Sequence, residues 1–376
     1  MSEIIHKSKT NLIAGVSAIF AIVLLFYVSS LAQQTFEEFR RQQDQEYSKY
    51  VEQEEAAFRK YVEDVKQKWN DFVNTTRRDW VEYSQDLNTL SNVDFEVGEI
   101  TVETLVEKDA DDIMTQAAAN ISNQIVDLFH PDSLVGDVIL SDLVEFNSPP
   151  IIDSTNARLF AEEKVIPRAV IDKETIMSRD GIERVKVTAT FKMVPEHIKI
   201  RAEKYLPVVK KYAAKYKISV PLVLAIMQTE SFFNPRAKSP IPAYGLMQLV
   251  PRSGAREAYR FVHKEDKIVK PDYLYTPENN IHLGCAYLAK MRDYEFKDVK
   301  DPEKKRLCLI AAYNTGPGNV CEAIIGEKTL RPAIDEINFM DKDTLYKILI
   351  DDLPYHETKD YLVKVETRRD YFMAWK

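Results

Sequence analysis

The spacing of apolar positions along this chain changes repeatedly, and each change marks a different structural unit. From Leu12 to Ala32 there are 21 residues without a charge, interrupted only by Gly15, Ser17, Ser29 and Ser30. That length suffices to span a bilayer as a helix. Lys7 and Lys9 precede the run and Glu37 and Glu38 follow it, so the charge bias places a short tail in the cytoplasm and the remainder outside. Ser30-Leu31-Ala32 also fits the small-x-small pattern of a signal-peptide cleavage site. The run exceeds a usual signal-peptide core, which favours a retained anchor in residues 1–33.

Behind the anchor the pattern takes a period of eleven. Phe36, Tyr47, Phe58, Trp69 and Trp80 form one row, and Phe39, Tyr50, Tyr61, Phe72 and Tyr83 form a second. Val51, Val62 and Val73 make a partial third. Eleven residues are close to three helical turns, so the rows share one stripe of a nearly straight helix. Residues 34–92 are thus expected to hold a long amphipathic helix, from about Thr35 to Leu90, roughly 80 Å long at 1.5 Å per residue. It could serve as a spacer or a self-association stalk through residues 35–90. An aromatic stripe is normally buried against something, so packing in cis or in trans is expected rather than a bare rod.

Near Asn92 the period becomes two. Val93-Phe95-Val97 and then Ile100-Val102 predict a strand with a bulge or turn at Gly98. Ala110–Leu128 reads as a helix with Ile113, Ala117, Ile121 and Ile125 near one face, after an acidic start at Asp109, Asp111 and Asp112 that suits the helix dipole. Val185, Val187, Ala189, Phe191 and Met193 alternate with polar residues as a half-buried strand. Pro149-Pro150 marks a loop between these elements. Residues 93–194 form a small α+β domain without a catalytic constellation, suited to scaffolding or substrate presentation.

From Pro195 the signals are helical through residues 195–376. His197–Tyr216 is amphipathic. Ser219 is placed to cap a further helix, and Pro221 suits its first turn. On that helix Val223, Ile226 and Met227 share a face with Glu230. A carboxyl above such a stripe loses solvation and keeps its proton to higher pH, as a general acid working near neutrality requires. No Asp or Glu occurs from Ser231 through Arg256, so no local second carboxylate is offered, although Asp272 or Glu278 could fold in. Two-carboxylate glycosidases need a partner roughly 5–10 Å away.

Composition narrows the function classes. The net charge is −8, from 51 Lys and Arg against 59 Asp and Glu, which argues against nucleic acid as a partner. The three cysteines, Cys285, Cys308 and Cys321, lack paired metal-site spacing, and the six histidines are scattered. No metal site or cofactor is expected.

Several ordered motifs converge on one family. Glu230-Ser231-x-Phe233-Asn234-Pro235 is followed by Ser239, Gly245-Leu246-Met247-Gln248, Ala312-Tyr313-Asn314-x-Gly316-x-Gly318 and Glu357-Thr358-x-x-Tyr361. Over roughly residues 204–372 the chain resembles the lytic murein transglycosylases of the soluble-transglycosylase, goose-lysozyme-like type. The run 222–231 and the preceding α+β domain lean toward the membrane-bound type C subgroup. That subgroup usually carries a lipidated cysteine, where this chain has an apolar helix. The resemblance implies a mostly α, lysozyme-like catalytic domain and hence an α+β chain overall. It implies cleavage of the β-1,4 bond between N-acetylmuramic acid and N-acetylglucosamine in peptidoglycan strands. Glu230 would be the acid and then the base on the muramyl 6-hydroxyl, giving a 1,6-anhydro product. Ser239 and Gln248 would hold sugar or peptide-bearing groups, Met247 would line the site, Tyr313 and Asn314 would orient Glu230 or the N-acetyl group, and Tyr361 would complete the wall. The expected place is the periplasm, at the inner membrane. The alternatives are a lysozyme-type hydrolase and a catalytically silent wall-binding scaffold.

Overall fold

The computed structural model describes residues 2–129, 140, 142–146 and 156–375, with side chains from Phe36 onward apart from Lys173. The chain divides into two units, Met1–Phe58 and Arg59–Lys376. Helix α1 (Ser2–Trp69) makes up the first and begins the second. The side chains of the Leu12–Ala32 run, and with them the expected membrane anchor, lie outside the described residues, as does the Pro149-Pro150 loop. Among the described residues no helix is long and apolar enough to cross a membrane. In the first unit Tyr47 is buried, with its ring 6.0 Å from that of Tyr50, while Phe36 and Phe39 are exposed.

The long helix stops at Trp69 and does not continue to residue 90. Asn70 takes a left-handed conformation, φ 62°, which asparagine tolerates better than most residues. The last turn is then met by a loop distant in sequence. The Asp180 N–H donates to the Gln67 carbonyl at 3.2 Å, and Ser178 Oγ to that of Lys68 at 2.7 Å. Asn70 Nδ2 donates in turn to the Met177 carbonyl at 2.9 Å. The first two contacts satisfy carbonyls that a helix end leaves open. The final members of the eleven-residue repeat therefore lie on strand β1 (Asp79–Tyr83). The stripe closes in cis, with the Tyr83 ring stacked 5.8 Å from Phe72 and meeting Trp69 edge-on at 6.0 Å.

Strands β1, β2 (Thr89–Asp94), β3 (Glu99–Glu107), β4 (Val170–Met177) and β5 (Glu183–Lys192) form an antiparallel sheet in the order β1-β2-β3-β5-β4. The predicted strand across Gly98 is a hairpin, since Phe95 and Val97 belong to the turn that joins β2 to β3. Gly98 has φ 71°, and a Cβ there would approach His197 Nε2 to 2.8 Å. Helix α2 (Ile113–Leu128) begins at Asp112, whose carboxylate accepts from the Thr115 amide and hydroxyl. Its Ala117, Ile121 and Ile125 pack with Val93, Ile100, Val102 and Val187 of the sheet, and the short α3 (Ala157–Phe160) adds Phe160.

The remainder is helical: α4 (His197–Tyr216), α5 (Val220–Ser231), α6 (Arg256–His263), α7 (Pro271–Tyr275), α8 (Pro277–Lys290), α9 (Pro302–Thr315), α10 (Pro317–Ile325), α11 (Leu330–Phe339), α12 (Lys342–Asp351) and α13 (His356–Phe372). Helix α5 packs on α4 and α13. It is buried all round rather than along a stripe, with Leu222 through Met227 in the core. Ser219 stands at its N-cap position, but its side chain makes no capping bond.

One side chain joins the sheet to this helical body. Arg201 on α4 is 3% exposed. It donates to the Phe95 carbonyl at 2.7 Å, the Phe232 carbonyl at 2.6 Å and the His197 carbonyl at 3.2 Å. Its guanidinium also lies 4.7 Å from the centre of the Phe95 ring. Burial lowers its pKa to about 9, still charged at neutral pH. Replacing Arg201 with Met would leave buried carbonyls without donors. Bonds to a charged group and the orphaned acceptors together put the loss at about 3 kcal/mol or more. Urea unfolding would show it as a lower midpoint at unchanged slope.

Candidate active site

Glu230 is the penultimate residue of α5 and only 5% exposed. The chain must turn sharply after it, and Phe232 and Phe233 both adopt left-handed conformations, φ 49° and 61°. Such conformations are costly for bulky residues and persist only where the surroundings enforce them. Arg201 holds the Phe232 carbonyl, and the Phe233 side chain is fully buried. Ser231 Oγ, also fully buried, is within bonding distance of the Met227 carbonyl at 3.0 Å and the Leu246 carbonyl at 2.8 Å. It ties the end of the helix to the Gly245-Leu246-Met247-Gln248 turn.

That turn is fixed from α8. Asn280 Oδ1 accepts from the Met247 N–H at 2.8 Å, and its Nδ2 donates to the Tyr244 and Leu274 carbonyls at 2.8 and 2.7 Å. Gly245 has φ 75°, and a Cβ would lie 2.4 Å from the Leu274 carbonyl oxygen and 2.5 Å from Asn280 Nδ2. Only glycine fits. Asn280 was not singled out in the sequence, where it stands among other polar residues, Glu278, Asn279 and His282, at the start of α8.

A groove of about 1070 Å³ opens over Glu230. Of the residues expected at the site, Glu230, Ser239, Gln248, Tyr313 and Asn314 line it. Their bonds are largely internal. Tyr313 donates to the Met247 carbonyl at 2.8 Å, so its hydroxyl is engaged by backbone and not by Glu230. Gln248 Nε2 donates to the Ala237 and Gly245 carbonyls at 3.0 and 2.9 Å, while its Oε1 is buried without a partner. Asn314 Oδ1 accepts from Thr358 Oγ1 at 2.7 Å, and Ser239 Oγ bonds the Ile241 carbonyl. The Met247 expectation is overturned. Its side chain is fully buried against Gly284, where a Cβ would sit 2.2 Å from Sδ, and it lines the core instead of the groove.

Tyr361 is 3% exposed and lies against Glu230. Its hydroxyl closes no full hydrogen bond, yet it is near enough to favour the charged carboxylate. Burial raises the pKa of Tyr361 and of Tyr313 well above 10, so both phenols stay protonated.

Two charged groups at the site escaped the sequence reading. Arg77, from the segment between α1 and β1, brings Nη1 to 3.8 Å from the Glu230 carboxylate. Its Nη2 donates to Glu357 at the start of α13, at 2.5 Å. Glu357 was visible within a motif but not as a partner of Glu230. The carboxylates considered earlier stay away: Glu278 bonds Lys211 and Tyr212, and neither it nor Asp272 lines the groove. Burial pushes the Glu230 pKa up to about 7, opposed by Tyr361 and Arg77 and assisted by the negative charge of Glu357. The site thus combines a buried acid, protonated near neutrality, with an open groove of about 1070 Å³. The three cysteines are buried and free, and none lines the groove.

A groove with a buried acid at its base fits an enzyme that cleaves glycans by general-acid catalysis, and the family comparisons agree. Residues 207–334 match the Transglycosylase SLT domain family, and residues 41–204 match the family described as Membrane-bound lytic murein transglycosylase C, N-terminal domain. The chain is 33% identical over 304 residues to a membrane-bound lytic murein transglycosylase C of Actinobacillus pleuropneumoniae, covering 78% of this chain and 79% of that one. It is 34% identical to that of Klebsiella pneumoniae over 293 residues, covering 76% and 79%. A solved structure, the 70 kDa soluble lytic transglycosylase of Escherichia coli, aligns at 26% identity with a TM-score of 0.35, over 46% of this chain and 24% of that one. The chain belongs to the membrane-bound lytic murein transglycosylase C family.

The raised pKa has a thermodynamic consequence. Glu230 ionises less readily in the folded than in the unfolded chain, so its ionisation opposes folding. Its unfavourable term is absent below about 4.5, grows as pH rises, and is complete above about 7. Glu230→Gln removes that term. Relative to wild type, the variant should gain on the order of 3 kcal/mol between pH 4 and pH 8, measured by denaturant unfolding at both pH values.

Proposed function

We infer that the protein is a peptidoglycan lytic transglycosylase in which Glu230 performs both proton transfers. The observation that carries this is a carboxyl buried at the base of the groove and protonated to about pH 7, while the other carboxylates that line the groove, Glu257 and Glu357, are more exposed and paired with Lys290 and Arg77. Glu230 gives its proton to the oxygen of the β-1,4 bond between N-acetylmuramic acid and N-acetylglucosamine as the bond to C1 breaks. The resulting carboxylate accepts the proton of the muramyl 6-hydroxyl as that oxygen bonds C1. The products are a 1,6-anhydromuramyl end and a free N-acetylglucosamine 4-hydroxyl. No water is consumed, and the acid is restored.

Ser239, Gln248, Asn314 and Tyr313 form the polar wall that orients the sugars. Gln248 borders the groove with its amide nitrogen bonded to the Ala237 and Gly245 carbonyls, which fixes the side chain in place. Tyr313 contributes by holding the Met247 carbonyl, and so the turn beneath Gln248.

Digestion of purified peptidoglycan with the full chain, wild type beside Glu230→Gln, and mass spectrometry of the muropeptides tests the reading. Anhydro ends from wild type alone are expected. Hydrated reducing ends would mark a lysozyme-type hydrolase, and no cleavage by a folded wild type would leave a wall-binding scaffold. In the active enzyme kcat/KM should fall about tenfold per pH unit above about pH 7, because the acid must be protonated.

The apolar run Leu12–Ala32 anchors the protein in the inner membrane, with the catalytic body in the periplasm. Full-length protein is expected to stay with membranes through alkaline carbonate extraction, and a chain starting at Gln33 to be released. Release of the uncut full-length chain would disprove the anchor.

A further inference from the structure

The accessory domain, whose sheet takes in β1 and β2 and so reaches back to the segment carrying Arg77, is more than a platform for the catalytic helices. Arg77 lies within the stretch matched by the N-terminal domain family, and Glu230 within the stretch matched by the transglycosylase domain. The segment carrying Arg77 is held on both sides. Thr76 Oγ1 bonds Asp79, and the Thr76 carbonyl receives the Lys238 N–H at 3.4 Å, in the loop that carries Ser239. The Arg77 side chain is 38% exposed and lines the groove, and its guanidinium lies between two carboxylates, 3.8 Å from Glu230 and 2.5 Å from Glu357.

We propose that Arg77 is a positioning residue for the reaction, through which the accessory domain stabilises the carboxylate that Glu230 becomes once its proton has left. The inference rests on Glu230 being the acid. In the protonated state Glu230 has little attraction for Arg77, and the guanidinium is held by Glu357. When the proton passes to the leaving oxygen, a negative charge appears in a site sealed from water on one side. A cation already within 4 Å then stabilises that charge without reorganisation. The groups facing Glu230 are Arg77 from the accessory domain, Tyr313 from α9, and Glu357 and Tyr361 from α13. Arg77 is the only cation among these four. Glu357 serves as its counter-charge and keeps it from closing fully on Glu230, which would weaken the proton donor's readiness to be protonated.

This role differs from a purely structural one in its pH signature. Without Arg77 the carboxylate form of Glu230 is less stable, so the acid keeps its proton to higher pH and donates it less readily. The full chain carrying Arg77→Gln should therefore show the alkaline limb of kcat/KM moved upward by about one pH unit, with a plateau rate lowered about 3–10-fold. Arg77→Met should behave likewise, and Arg77→Lys, which keeps the charge, should hold the limb near the wild-type position. Thermal unfolding of each variant identifies those that fold, and Arg77→Met or Arg77→Lys decides the matter if Arg77→Gln does not. A limb that stays at the wild-type pH in a folded Arg77→Gln or Arg77→Met chain overturns the proposal, whatever happens to the plateau, as does a limb displaced as far by Arg77→Lys. Failure of the underlying reading is separate: it would show as anhydro products from Glu230→Gln.

Discussion

The arrangement of this molecule depends on one buried cation. Arg201 spends its donors on the carbonyls of Phe95, Phe232 and His197. Those carbonyls belong to the sheet hairpin, to the residue two past Glu230, and to α4 itself. A single guanidinium can do this because its donors are fixed in one plane and point in several directions. The consequence is that the accessory sheet cannot shift without disturbing the turn that presents the acid. Arg77 also reaches the groove from the accessory domain, so its distance to Glu230 relies on the same junction.

Around the acid, polar groups are used mainly to hold backbone. Asn280 fixes the turn through Gly245 and Met247, Ser231 ties that turn to α5, and Tyr313 closes it from α9. The left-handed Phe232, Phe233 and Gln248 show the cost of presenting the groove in this shape. Side chains already bonded in this way lose little freedom on meeting a substrate. Two of the buried polar atoms without a hydrogen-bond partner among the described residues, Gln248 Oε1 and the Tyr361 hydroxyl, belong to residues that border Glu230 or its groove.

Periodicity and motifs made much of this legible. The helices at 197–216 and 220–231, the alternating strand through Val187 and Ala189, and the placement of Glu230 at a helix end all follow local patterns. The eleven-residue repeat misled at its end, because Trp80 and Tyr83 keep the helical spacing while the backbone has become a strand. What stops the helix is a loop more than a hundred residues away, at Ser178 and Asp180. Met247 misled for a related reason. A motif position marks a need for that residue, but packing against Gly284 and facing a sugar are equally consistent with it.

The amino-acid order by itself determined the elements whose cause is local: the amphipathic helices, the glycine-dependent turns, and an acid placed over an apolar helix. It also determined the family, since ordered motifs survive without knowledge of how they meet. Only the tertiary structure decided the charge environment of that acid. Arg77 and Glu357 are 280 positions apart and converge on Glu230 from separate domains. Coulombic coupling depends on distance through space, and no pattern along the chain encodes that distance for residues brought together by folding.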